Sequence, residues 1–123
     1  MDRKFVVAGL GWGVLGLALG IVMGITHNHG QMPTHAHIML AAFVLSFIYG
    51  TIHKLWLTNG DSGLAKIQFW LHQVGVAILV ICLFLVYGGH ASPVKLEPIL
   101  ATSSIVVFVA LILMKVLFIR SRA

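Results

Sequence analysis

The chain predicts an all-α membrane protein of four transmembrane helices, and three observations lead there. Of its 123 residues, 59% are hydrophobic and only 9% charged, against about 25% charged in soluble domains. Four apolar stretches each approach or exceed the ~20 residues a helix needs to cross the hydrocarbon of a bilayer. None shows the alternation of a membrane β-barrel, and helices satisfy every backbone amide internally. A surface this poor in polar groups takes lipid as its solvent.

The helices are expected at about 5–26, 35–57, 64–88 and 98–119, as one four-helix domain over 1–123. The first, Phe5 to Thr26, is too long for a removable signal peptide and lacks a small-residue cleavage site before a mature domain. Its Gly9, Gly13, Gly16, Gly20 and Gly24 recur at intervals of four and three and so share a face. Such small-residue stripes let backbones approach closely in lipid. Packing within the unit is the expected use, ahead of a subunit contact or a seat for a flat porphyrin. The second helix, His35 to Leu57, opens on Thr34-His35-Ala36-His37 and closes on Gly50-Thr51-Ile52-His53-Lys54-Leu55-Trp56. The third, Leu64 to Gly88, carries His72 about two turns in. It also holds Cys82, the single cysteine, which excludes a disulfide within the chain and reads as packing. The fourth runs from Pro98 to Ile119, with Lys115 near its end snorkelling to the interface. Trp12, Trp56, Trp70 and Tyr87 read as interface anchors.

The net charge of +5 raises nucleic acid as a partner, but the distribution argues for none. Arg3, Lys4, Lys54, Lys66, Lys115, Arg120 and Arg122 lie in the termini and second loop, as an orientation signal would. The first loop has no Lys or Arg, and the third has only Lys95 against Glu97. By the positive-inside rule both termini and the second loop are cytoplasmic, in an inner (plasma) membrane. The first and third loops then face the periplasm or exterior.

That orientation sorts the seven histidines. His27, His29, His35, His37 and His90 fall to the outer side, His53 near the inner end of its helix, and His72 deeper in the third. No Asp, Glu or Arg lies deep in a span, which disfavours a pump or voltage sensor built on buried charge. His35 and His37 differ by about 200° in helical azimuth, at roughly 100° per residue. They face different neighbours and cannot readily grip one ion together. With Met23, Met32 and Met39 nearby, the donors suit copper, while imidazole alone suits zinc, nickel or heme iron. Solvation is the ordinary reading for His27, His29 and His90, and an interfacial partner for His53. His35 and His37, inside the edge of a span, need partners. His72 needs one too, which a hydroxyl or carbonyl could supply.

The order His-x-His, a long apolar helix, Tyr-Gly-x-x-His-Lys-Leu-Trp, then Lys-x-x-Phe-Trp-Leu-x-x-x-Gly resembles one hairpin of the heme–copper oxidase catalytic subunit. That superfamily includes the nitric oxide reductases. The matching residues are His35, His37, Gly50, His53 to Trp56, Phe69, Trp70, Leu71 and Gly75, within roughly Thr34 to Gly89. The resemblance implies an oxidase subunit I-like helical arc. It also implies heme ligation, the first histidine of the pair serving one heme and the second another. It departs in size, with four helices where the large subunit has about a dozen, and it lacks the copper-ligand helix. A homotrimer would restore twelve. His35 of one copy and His37 of the next would then be the axial ligands of a b-type heme (protoheme).

Within the same class, His37 with His27 or His29 could hold the heme in one chain, and His53 with His72 a second one. The chain has no Cys-x-x-Cys-His, so covalent attachment is not expected. Bis-histidine ligation leaves no open position and favours electron transfer or sensing, whereas a single histidine leaves room for nitric oxide or oxygen. A respiratory-chain or quinone partner follows from the resemblance; catalytic residues and substrate turnover do not. The leading alternative is a membrane protein handling copper or another transition metal through the outer His/Met cluster. A further one is a cofactor-free accessory subunit of a respiratory complex.

Overall fold

The computed structural model describes residues 1–58 and 62–121. Its described residues are helical with no strands, and four helices are long and apolar enough to cross a membrane, as a multi-pass membrane protein requires. These are α1, Asp2–Thr26; α2, Met32–Leu55; α3, Gly63–Tyr87; and α4, Pro93–Arg120. Residues 59–61 of the second loop and Arg122, which entered the charge pattern, lie outside the described residues.

Helix starts are set by local chemistry. α2 begins at Met32, earlier than expected, because Pro33 suits a first turn. His35 and His37 therefore sit inside its opening turns and not at its mouth. The Ser62 hydroxyl accepts from the Ala65 N–H at 3.2 Å and caps α3. α4 starts at Pro93, after an extended Ser92, and not at Pro98, which lies inside the helix. Both prolines can open a helix, and the earlier one does.

α2 is not uniform. Ile38–Val44 winds as a π-helix, with the Leu45 N–H reaching back to the Leu40 carbonyl. No glycine or proline in that segment signals it. The wider turn resets the azimuth of the following residues, Leu45–Leu55, relative to the histidine pair.

Successive helices run antiparallel. A Cβ on Gly9 would lie 3.2 Å from the Ser46 Cβ, and one on Gly16 would lie 2.8 Å from Ile38 Cγ2. The stripe on α1 is thus the seat of α2 within the unit. Gly24, at its far end, meets nothing within 4 Å. α3 meets α4 closely at Gly75, whose Cβ would lie 3.0 Å from Val106 and Val107. Trp12 is no interface anchor: midway along α1, its indole N–H donates to Gln73 Oε1 at 2.9 Å. The Gln73 amide donates on to Ser46 Oγ at 3.1 Å, so one polar chain ties α1, α3 and α2 at mid-depth. At the basic end, which holds both termini, Phe5, Tyr49, Phe69 and Met114 form a buried cluster. There the Thr58 N–H donates to Ser121 Oγ at 2.9 Å. The opposite, histidine end carries the first and third loops.

Candidate functional site

The histidine pair is built on the junction of α1 and α2. His35 is half-buried, and its Nδ1 donates to the Gly16 carbonyl at 2.9 Å. Its ring lies over Gly20, where a Cβ would come within 2.9 Å of Cε1. Two glycines of the α1 stripe thus supply one a bonding partner and the other the room. His37 is exposed, and its Nδ1 donates to the Pro33 carbonyl, one turn back, at 2.8 Å. One ring is turned to α1 and the other to open surface. In each, a proton held at Nδ1 leaves Nε2 with its lone pair in the neutral ring.

Neighbouring polar groups fix this end. Gln31 donates to the Phe84 carbonyl at 3.0 Å and accepts from the fully buried Thr34 hydroxyl at 2.6 Å. The start of α2 is thereby pinned to the end of α3. His27 closes α1 in a left-handed conformation, φ 55°, and both His27 and His29 are exposed. His90 is exposed too, stacked 6.3 Å from Phe84. Among the described residues no three His, Cys, Asp or Glu side chains gather so as to hold a metal ion.

The remaining histidines belong to a separate interior group near the basic end. His72 is fully buried, and neither ring nitrogen has hydrogen-bond geometry to a partner, although the Ala41 carbonyl of the π segment is close enough to act on it. Tyr49 stands edge-on to His72 at 4.9 Å between ring centroids. Phe5 reaches in from α1, 5.5 Å from the His53 ring and 6.4 Å from His72. The Tyr49 hydroxyl and Gln68 Oε1 are buried without hydrogen-bond partners, while the Gln68 amide donates to the Ala110 carbonyl at 3.0 Å. Tyr49 and His53 lie four apart on α2, and Gln68 and His72 four apart on α3. That spacing puts each pair on one helix face but does not say which faces meet; Tyr49 entered the sequence reading only as part of the Tyr-Gly-x-x-His motif, and Gln68 not at all.

The two groups differ in what they could hold. An exposed imidazole with a fixed Nδ1–H is the form in which histidine ligates a metal, its second nitrogen oriented by a carbonyl. His37 meets that description, and half-buried His35 meets all of it but the exposure. A macrocycle beside His72 would have to displace Phe5 and Tyr49, so that histidine does not fit a heme in this packing. No family model matches the chain, and no curated protein or solved structure is similar to it at a significant level, so the oxidase resemblance rests on its motif residues alone.

Proposed function

We propose that the chain is a b-type heme-binding, multi-pass protein of the plasma membrane, serving electron transfer or the binding of a small gas. The observation that carries this reading is the pair of Nδ1 anchors. His37 holds Nδ1 on the Pro33 carbonyl at 2.8 Å with its ring exposed, and His35 holds Nδ1 on the Gly16 carbonyl at 2.9 Å. Both keep Nε2 for a ligand. Because the two rings face different sides, the axial pair is completed between copies, His37 of one with His35 of the next, in a homotrimer. Protoheme bound there supplies a one-electron couple or, with one position open, a site for nitric oxide or oxygen. The chain's own part is to hold each imidazole in a single tautomer and to exclude water with its apolar helices. The basic residues support placing both termini in the cytoplasm and the histidine end outside.

The test is the absorption spectrum of detergent-purified protein, oxidised and dithionite-reduced, after reconstitution with hemin. A Soret band that is lost in His37→Ala and altered in His35→Ala is the expected result. A colourless protein, or a spectrum indifferent to both substitutions, overturns the reading. Stoichiometric copper by elemental analysis, without heme, would move the assignment to metal handling.

A further inference from the structure

Two exposed grooves flank the first turns of α1 at the basic end. One, of about 440 Å³, lies between α1 and α2, with Arg3 and Lys54 among its lining and Val6, Leu10 and Leu55 along its wall. The other, of about 420 Å³, lies between α1 and α3 and is lined by Arg3, Lys4, Val7, Ala8, Phe69 and Trp70. Arg3 and Val7 belong to both. Arg3, Lys4 and Lys54 are exposed. The ion pair recorded among the described residues is the one between the N-terminal amine and Asp2, at 3.9 Å. Asp2 also lines the first groove; its carboxylate feels both that amine and Lys54, which leaves the three side-chain cations in excess over one carboxylate.

The order of chemistry along the grooves matters. The cations sit where α1 begins, and Leu10 lies about 10 Å further along the axis, at 1.5 Å per residue. A cationic mouth therefore opens onto two apolar furrows that share one arginine. We propose that this is a binding site for an anionic diacyl phospholipid. Arg3, Lys4 and Lys54 engage the phosphate headgroup, and one acyl chain lies in each furrow. Charge complementarity selects the head, and the paired furrows select a two-chain molecule over a free anion. The site is independent of heme and needs only that the chain reside in a bilayer, where basic juxtamembrane clusters attract anionic lipid.

The experiment is native mass spectrometry of the full chain in neutral detergent, titrated with phosphatidylglycerol or with phosphatidylcholine of matched chains. Phosphatidylglycerol should be retained in preference. The double substitution Arg3→Gln/Lys54→Gln, on exposed side chains, should weaken its binding by about 25-fold, at about fivefold per cation. Lys95→Gln, at the opposite end, should leave it unchanged. Val7→Trp, which crowds both furrows and keeps every cation, should also weaken it. Equal retention of the two lipids overturns the proposal, as does a double variant that behaves like Lys95→Gln. Val7→Trp binding like the parent would mean charge attraction without a built site. Displacement of the lipid by millimolar inorganic phosphate would mean an anion site only.

Discussion

His35 and His72 are the same residue type on neighbouring helices, and the bundle treats them in opposite ways. His35 is half-buried over a glycine and has its Nδ1 on a backbone carbonyl. His72 is fully buried among aromatic rings with no nitrogen in hydrogen-bond geometry. A histidine in a membrane-spanning helix is therefore not a site on account of its depth alone. What separates them is whether one nitrogen is anchored while the other keeps an approach.

The contrast can be attacked from both ends. The largest effect is expected from Phe5→Ala, which removes the ring between His53 and His72. Emptying that place should cost about 3–5 kcal/mol of stability in detergent, read as a fall in thermal midpoint by circular dichroism, with any heme spectrum kept. A small loss would mean that the interior rings are loosely packed. Gly20→Val comes next. Its Cβ would sit 2.9 Å from His35 Cε1, and overpacking of this kind costs about 1–3 kcal/mol. If the proposed heme is bound, it should also shift its spectrum, because His35 must leave the Gly16 carbonyl. An unchanged spectrum would detach the glycine seat from ligation. His72→Leu should raise stability by about 1 kcal/mol, since it removes a buried polar ring whose nitrogens lack hydrogen-bond geometry and have only the Ala41 carbonyl near them. If it instead destabilises, His72 has bonds that the packing does not reveal. The smallest effect is expected from Gly24→Ala, which meets open space and should stabilise α1 by about 0.5–1 kcal/mol. A loss there would mean that the stripe continues into a contact between copies.

Much of the architecture was legible in the residues. Apolar length alone places four helices, and the interval of the α1 glycines marks the face that receives α2. The histidine pair's divergence in azimuth follows from helix geometry, and the rings are indeed turned to different sides. Other features depended on tertiary contacts that carry no local signal. Trp12 reads as an anchor until Gln73 is found across the interface. The meeting of Tyr49 with His72 depends on where α2 and α3 cross, and on Phe5 arriving from a third helix. The true start of α4 was hidden because Pro93 and Pro98 satisfy the same rule. The proposed heme, trimer and sidedness rest on chemistry outside a single folded chain.

The π-helical Ile38–Val44 segment has a consequence for how this helix tolerates change in length. An α-helix transmits any insertion or deletion as a turn of everything beyond it, roughly 100° per residue. A segment already wound with one residue more per hydrogen bond than its neighbours can absorb such a change by relaxing to ordinary α pitch. Deleting Ala41 would then spare both the helix and the way Tyr49 and His53 face their partners. The histidine pair would keep its place against Gly16 and Gly20. The segment works as slack between two ends of one rod, so a one-residue change in length there leaves the two histidine groups in phase.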